Sequence, residues 1–414
     1  MRDGRLGDVV VSMKNGLYKP ASEYADDGTP CLRMYNIHSG SIVWRDIKRM
    51  RVSAAELDEY GLREGDLLVN RVNSRELVGK AAFIPPSLEP SVFESKNIRV
   101  RLDASKALPK FINYQLLAGG RRHFAGNAQQ VVGMASISQK QLADFPIVLA
   151  DLDDQRCIVA EIEKQFSRLD EAVADLKRVK ANVRRLESAI LEEAVEGRLV
   201  PVSSASWRTM QVCEAGDVLL GRQRAPQYLT GRWSRRYLRV ANIKDDAIDF
   251  SDVEAMDFDE AHFAKYRLLP GDILISEGQS PELLGQSAIF RGFSEPVCFQ
   301  KTLHRFRAHP EITMPEFAQI VFRSHVRSGV FRRLGSITTN IGHLTLEKFR
   351  AAPFPLPPLG EQRRIVGEVA RRLSVIRGVE SVVDTSLKRT QRLRQVILGR
   401  AFKGSDSSEP QVFA

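Results

Sequence analysis

No two of the four cysteines, Cys31, Cys157, Cys213 and Cys298, form a CxxC pair, and none has a histidine at ligand spacing. That scatter speaks against a zinc site and against a disulfide framework, and leaves ordinary buried or half-buried thiols. Histidine is also scarce, with 7 residues in 414, and none stands beside a Cys or an acidic residue in a recognised catalytic order. A run of about eighteen apolar residues, the minimum for a membrane span, is missing, and the opening MRDGRLGDVV lacks the apolar core of a signal peptide. A cytoplasmic protein without a membrane partner is therefore expected. There is no GxxxxGK phosphate loop, which argues against ATP hydrolysis by this chain. The two Pro-Pro pairs lie in Ile84-Pro85-Pro86-Ser87 and Leu356-Pro357-Pro358-Leu359. Neither has an amide or acid before it or a ring after it, as a loop that clamps a flipped adenine for methylation needs.

What is present is ordinary in composition, with 43% hydrophobic and 27% charged residues, and that excludes wholesale disorder. The length suits two or three domains, each large enough for a core. Lys and Arg number 61 against 51 Asp and Glu, a net charge of +10. An excess of that size suits a polyanion, because clustered cations release counterions from nucleic acid. A basic surface that binds nothing gives the same number, so charge alone does not decide.

The dominant pattern is a repeat. From Gln155 to Gly197 runs QRCIVAEIEKQFSRLDEAVADLKRVKANVRRLESAILEEAVEG, and from Gln362 to Gly404 runs QRRIVGEVARRLSVIRGVESVVDTSLKRTQRLRQVILGRAFKG. They align without a gap at an offset of 207 (362 − 155), half the chain. In the first copy Phe166, Leu169, Val173, Leu176, Leu186 and Ile190 recur every three or four residues or at multiples of that step. In the second Leu373, Ile376, Val383, Leu393 and Ile397 do the same, with Thr390 as an interruption. Such spacing predicts one apolar stripe on each of two helices, and about 43 residues make a rod of roughly 65 Å. A rod that long is stable only if its stripe pairs with another helix, and the other copy is the natural partner. The first copy balances its basic residues with Glu161, Glu163, Glu171, Glu187, Glu192 and Glu193, whereas the second is mostly basic, a bias that favours pairing between them or with an acidic partner face.

The segments before the helices repeat too, more weakly, at an offset of 206 (238 − 32). Leu32–Ile37 matches Leu238–Ile243, Tyr60–Val69 matches Tyr266–Ile275, and Leu77–Phe83 matches Leu283–Ile289. These shared pieces read as short strands following a Gly-Asp turn. Between them the copies diverge: GRQRAPQYLTGRWSRR, from Gly221, is far more basic than its counterpart around Lys14 to Asp27. The polar loops GGRRHFAGNAQQ and RRLGSITTN differ as well, and each is followed by a proline-bearing approach to its helix.

A variable globular domain, a lead-in and a long helix, used twice, resembles the specificity subunit of type I restriction-modification systems. The clearest match is Phe354-Pro355-Leu356-Pro357-Pro358-Leu359-Gly360-Glu361-Gln362-Arg363-Arg364-Ile365-Val366, supported by the helix ends AILEEAVEGRLV and VILGRAFKG. The first lead-in departs from this pattern, with Asp151-Leu152-Asp153-Asp154 where the second has prolines and Glu361. The resemblance covers essentially the whole chain. It implies an α+β protein: two α/β target-recognition domains separated by two long antiparallel coiled-coil helices, related by a pseudo-two-fold axis. The expected divisions are 1–150 and 201–358 for the recognition domains, 151–200 and 359–404 for the helices, and 405–414 for a tail. It further implies a non-catalytic subunit that reads the two halves of a bipartite, asymmetric site on double-stranded DNA. It implies as well that the helices dock two adenine methyltransferase subunits, a core that two restriction/translocase subunits can join. The chain itself would hold no cofactor and no metal, with S-adenosylmethionine and ATP on the partner subunits.

Base edges call for Arg or Lys at guanine and Asn or Gln at adenine, while phosphates accept from Lys, Arg, Ser and Thr. On that chemistry the expected readers in the first domain are Asn70, Arg71, Asn73, Arg75, Gln129 and Gln130, with Lys96, Arg121, Arg122 and His123 on phosphates. In the second they are Arg222, Arg224, Gln227, Arg235, Gln279, Thr338, Thr339 and Asn340, with Lys301, Arg332 and Arg333 on the backbone. Each could equally be a solvated loop residue. The aromatics Trp44, Trp207 and Trp233 are expected in core or domain-edge packing. Two other readings remain: the same build serving a different DNA-modification defence system, and a coiled-coil scaffold whose globular ends bind protein.

Overall fold

The computed structural model of the chain describes residues 1–131, 134–201, 207–338 and 340–402. Its contacts divide it into two compact units, Met1–Leu176 with Thr385–Ala414, and Lys177–Asp384. Helices and strands are mixed throughout both, an α+β chain. The two long helices are Leu152–Val195 and Leu359–Ala401, and each gives one end to each unit. The compact units thus cut across the linear division into domains and helices.

The first unit is built on a four-stranded antiparallel sheet in the order Val10–Asn15, Asn97–Leu102, Leu67–Asn70, Ala81–Phe83. A second sheet joins Val92–Phe93, Tyr24–Leu32 and Lys48–Met50, and a third sets the ribbon Gln129–Val131 and Met134–Ser136 against Val72–Asn73. The second unit repeats this plan: Gly216–Leu220, Leu303–Ala308, Ile273–Ser276 and Ser287–Ile289 form the four-stranded sheet, and Ser336–Thr338 and Ile341–His343 form the ribbon against Gly278–Gln279. The strands Asn97–Leu102, Leu67–Asn70 and Ala81–Phe83 recur at the offset of 206 that the sequence repeat shows.

The shared Gly-Asp turn has a physical reason. Gly65 and Gly271 stand at φ +84° and +96°, where a side chain is strained. The following aspartates are buried and do two jobs each. Asp66 accepts from the Arg63 amide at 2.8 Å and from Arg101 Nε at 2.9 Å; Asp272 accepts from the Leu269 amide at 2.8 Å and from Arg307 Nε at 2.6 Å. Turn and sheet are pinned by one carboxylate, twice over.

A second duplicated device explains the glutamine that opens each repeat. Gln155 and Gln362 are fully buried. Gln155 Oε1 accepts from the Leu108 amide at 2.8 Å, and its Nε2 donates to the carbonyls of Lys106 and Ala150, both at 2.9 Å. Gln362 Oε1 accepts from the Met314 amide at 2.9 Å and the Thr313 hydroxyl at 3.2 Å, while its Nε2 donates to Ile312 and Pro357 carbonyls at 3.0 and 2.9 Å. Each bracket ties the start of a long helix to the loop before Pro109 or Pro315, which begins a short helix of the globular part.

Within each unit the two long helices meet. In the first unit Arg394 pairs with Asp170 and lies 4.8 Å from the Phe166 ring. In the second, Lys180 pairs with Asp384 at 2.5 Å and Glu193 with Arg372 at 3.7 Å, so the helix ends in that unit run antiparallel. The apolar stripe follows a slightly different phase from the one read by sequence. Ile190, Leu373, Ile376 and Val383 are buried as expected, and Phe166, Leu169, Val173, Leu176 and Ile397 are half-buried. Leu186 and Leu393 are corrections, at 54% and 38% exposed. Val183 is buried, and Glu187, four residues and about one turn further on, faces inward with it. Thr390 does not break the second stripe: it is buried and returns its hydroxyl to the Leu387 carbonyl at 2.8 Å.

All four cysteines are free; Cys31 and Cys298 are buried, and burial pushes both thiols up to about 12. Two buried histidines lie in the second unit. Nε2 of His304 is 2.7 Å from the Leu344 carbonyl, Nε2 of His325 is 2.7 Å from the Pro353 carbonyl, and burial lowers the pKa of both rings. An imidazole whose folded pKa lies below its unfolded value is held neutral by the fold, so the unfolded chain takes up more protons as pH drops below about 6.5. The urea midpoint of the second unit is therefore expected to fall between pH 7.5 and pH 5.5, and His325→Gln should flatten that fall. An equal slope in the variant would show that the loss comes from other groups.

Candidate nucleic-acid interface

In the first unit three of the stretches singled out by sequence converge. The ribbon strand Met134–Ser136 pairs with Val72–Asn73, which brings Gln129 beside the Asn70–Arg75 turn. That turn is tied to the helix Arg121–Asn127 from both sides: Arg75 Nε donates to the Ala125 carbonyl at 2.9 Å, and Arg121 Nε donates to the Glu76 carbonyl at 3.0 Å. Gly79, at φ +81°, closes the contact, since a Cβ there would sit 2.2 Å from Phe124. Gly285 repeats this against Phe331 at 2.3 Å. Arg75, Arg121, Arg122 and Gln129 are exposed; Arg71, Lys96 and His123 are half-buried, the last with its ring edge-on to Phe124 and Phe145. Of Gln130 the backbone is described, in the ribbon.

Asn70 and Asn73 are corrections. Asn70 is fully buried and donates to the Lys96 carbonyl at 3.0 Å and to Asn97 Oδ1 at 3.1 Å, while Asn73 donates to Asn70 Oδ1 at 2.8 Å and accepts from the Ser74 amide. These amides hold the turn's backbone together and present no base-reading edge to solvent.

Arg222 is a third correction. It is 7% exposed, donates to the Asp257 carbonyl at 2.5 Å, and lies over the rings of Tyr228 and Phe258 at 4.1 and 5.3 Å. The Asp257 carboxylate gathers the rest of the basic stretch, accepting from the amides of Thr230, Gly231 and Trp233 and from the Thr230 hydroxyl, bonds that hold its pKa below the usual carboxylate value. The basic segment is thus a folded loop with Arg222 as its floor. Arg224, Gln227 and Arg235 are on its surface; Arg224 lies 3.8 Å from Glu254 and Arg235 packs 4.8 Å over Phe263. Elsewhere in the unit Lys301, Arg332, Arg333, Thr338 and Asn340 are exposed and Gln279 is half-buried. Thr339 lies outside the described residues.

Sequence reasoning passed over several surface groups. Trp44 and Trp233 are 45% and 40% exposed rather than packed away, and Tyr18 and Tyr35 stand out at 83% and 69%. Lys80 is half-buried with Nζ 3.2 Å from the Met34 carbonyl, and burial and then the charge of Arg121 lower its pKa. Only the position of Lys80 in the repeated LVGK segment, opposite Gln286, could have flagged it. Among the described residues no cluster of His, Cys, Asp and Glu could hold a metal ion. No helix there is long and apolar enough to cross a membrane.

Residues 231–368 match the family model for the type I restriction modification DNA specificity domain. The chain is 28% identical over 224 residues to the EcoKI specificity subunit of Escherichia coli, covering 53% of this chain and 46% of that protein. It is 26% identical over 226 residues to the StySPI specificity subunit of Salmonella potsdam, covering 54% and 47%. The chain thus spans about half the length of these relatives. The alignment with the Escherichia coli EcoBI specificity subunit, 21% identical, covers 96% of this chain and 84% of that protein. A chain solved in work on complex assembly and conformational transition of the type I R-M system superposes with a TM-score of 0.72 at 19% identity, covering 97% of each chain. The HsdS subunit of Thermoanaerobacter tengcongensis gives 0.51 at 19% identity, covering 97% of this chain and 96% of that one. At such identities these two establish a shared fold. The resemblance to type I specificity subunits read from the sequence is borne out.

Proposed function

We propose, from a chain that is a relative of type I restriction enzyme specificity subunits, that it is the DNA sequence-specificity subunit of a type I restriction-modification complex. Each unit reads one half of a bipartite, asymmetric site on double-stranded DNA. The observation that carries this reading is the repetition of one backbone frame under different exposed side chains. The same strands, Gly-Asp turn and glutamine bracket occur twice, and the surface placed on them differs. A protein that needed one ligand twice would have had no reason to keep the frame and exchange the exposed side chains upon it.

In this reading the two long helices lie antiparallel and hold the two recognition domains apart, and their outer faces dock two adenine methyltransferase subunits, with two restriction/translocase subunits added in the full complex. Leu186 and Leu393, exposed at equivalent points of the two repeats, belong to that docking face rather than to the seam between the helices. Chemistry is delegated: S-adenosylmethionine and ATP belong to the partners, and this chain works in the cytoplasm as a non-catalytic subunit. Half-site centres about one turn apart, roughly 34 Å, would let both domains bind one face of the duplex.

Methylation mapping of the host genome with and without the gene tests this directly. Loss of one bipartite adenine motif on deletion is the expected result. An unchanged methylome in a host that expresses the chain and its methyltransferase partner would overturn it.

A further inference from the structure

In each unit the end of the first core strand, the turn before the long central strand and the turn after Asn70 or Ser276 meet on one backbone frame. In the first unit the Ser95 amide donates to the Leu17 carbonyl at 2.8 Å and the Arg71 amide to the Lys96 carbonyl at 2.8 Å. In the second the Lys301 amide donates to the Arg222 carbonyl and the Glu277 amide to the Thr302 carbonyl, both at 2.9 Å. The equivalence is therefore residue by residue: Leu17 with Arg222, Arg71 with Glu277, Lys96 with Thr302.

What the frame carries differs sharply. In the first unit it gathers cations and aromatic rings. Arg71 Nη1 reaches the Ser95 carbonyl at 3.4 Å, Lys80 Nζ reaches the Met34 carbonyl at 3.2 Å, and the Met34 amide donates to Glu94 Oε1 at 2.9 Å. Tyr18 and Tyr35, each one residue beyond an anchored position, project to solvent at 83% and 69% exposed. At the equivalent positions the second unit has Gln223, Ala241, Glu277 and Gln286 in place of Tyr18, Tyr35, Arg71 and Lys80. Arg71, Lys80 and Lys96 with two exposed rings give way at those positions to Glu277, Gln286 and Thr302 with no ring, while the second unit carries its cations elsewhere on the frame, at Arg222 and Lys301.

Two exposed tyrosines beside half-buried cations offer flat rings and positive charge on one surface. The cations match a polyanion, and a tyrosine ring with its hydroxyl can pack on sugar or a thymine methyl while donating to a phosphate or a base edge. We infer that Tyr18 and Tyr35, flanked by Arg71, Lys80 and Lys96, are specificity-determining DNA contacts of the first unit, and that the two units read different half-sites in part because this patch is exchanged between them. The inference rests on the function proposed above and assigns residues to it.

The test uses the full chain with its methyltransferase partner. Methylation motifs are compared for the wild type, Tyr35→Ala, Tyr35→Phe and Tyr18→Gln, the last being the second unit's residue. Each variant's thermal stability is checked, and exposed side chains should leave it unchanged. Tyr35→Ala and Tyr18→Gln are expected to relax one half of the bipartite motif at one or two positions, with discrimination there falling about 5- to 100-fold, the worth of a good base contact, while the other half is retained. Tyr35→Phe separates the hydroxyl from the ring. Lys80→Gln should instead weaken binding evenly across sequences and reduce the slope of log affinity against log salt by about one. If the wild type methylates a bipartite motif and the tyrosine variants methylate the same motif to the same extent, the inference falls and the function stands. If the wild type specifies no motif, the function falls first.

Discussion

Arg323→Met is expected to destabilise the second unit by about 3 to 5 kcal/mol, the largest single effect of any side chain on the face between helix and globular part. The Arg323 side chain is 8% exposed and stands at the centre of an ionic cluster. Its guanidinium reaches Glu187 at 2.5 Å, Asp246 at 3.2 Å and Asp245 at 3.5 Å, and Arg327 adds a contact to Glu187 at 3.3 Å and a closer one to Asp245. Removing Arg323 leaves Glu187 and Asp245 to Arg327 and Asp246 to the neutral Gln319 amide at 3.2 Å, beside a cavity of about 540 Å³ that its absence enlarges. Burial outweighs the attraction of the two arginines and leaves the Glu187 carboxyl above its ordinary pKa. For an acid whose folded pKa is raised, the unfavourable part of burial is felt as pH rises through that value. Glu187→Gln should therefore cost less than Arg323→Met at neutral pH and less still near pH 8. Replacing Glu187, Arg323 and Arg327 together by apolar residues should recover most of the loss, because a buried ionic cluster is weak as a net stabiliser and strong as a constraint on geometry. Urea titration of the four proteins checks this. A loss below about 1 kcal/mol for Arg323→Met would mean that the cluster is solvated and constrains nothing.

That cluster also marks where reading the sequence stops. The repeat, the strands after each Gly-Asp turn and the two helices could be read because each rests on local or periodic signals: a glycine needing positive φ, an aspartate one residue on, an apolar step of three or four. Glu187 carries no such signal. Counted as a balancing charge on a solvated face, it is buried because Arg323 arrives from 136 positions away. The residues expected from sequence to contact DNA divide in the same way. Arg75, Arg121 and Gln129 are on the surface as their type suggests, while Asn70, Asn73 and Arg222 are inside, recruited by carbonyls that only the folded turns bring within reach. Polar residue type predicts hydrogen bonding but not whether the partner is a base or the protein's own backbone. Tyr18 and Tyr35 were invisible for the converse reason, since an aromatic is expected inside unless something outside gives it a use.

Gln155→Leu and Gln362→Leu are expected to cost about 3 kcal/mol each, because in both a buried amide satisfies several backbone groups that lose their partners together and each unpaired group costs about 1 to 3 kcal/mol. Gln362 serves one more donor, the Thr313 hydroxyl, and its loss should be the greater. A sharper variant is Gln155→Glu, nearly the same in shape. One carboxyl oxygen can still accept from the Leu108 amide, but the other would face the carbonyls of Lys106 and Ala150, which only donors can satisfy. The carboxyl must therefore hold its proton in the folded state, and its folded pKa lies above the unfolded value of about 4.3. A group whose pKa is raised by folding contributes its stability below the unfolded pKa and loses it as pH climbs through the folded one. The stability gap between Gln155→Glu and wild type should consequently widen from pH 5 to pH 8, whereas the gap for Gln155→Leu, which has nothing to titrate, should stay level. Measuring both gaps by urea denaturation at the two pH values separates a true bracket from a glutamine that is merely buried. If the glutamate variant tracks the leucine variant at every pH, the two carbonyls are not what the amide is there to meet, and the glutamine that begins each repeat needs another explanation.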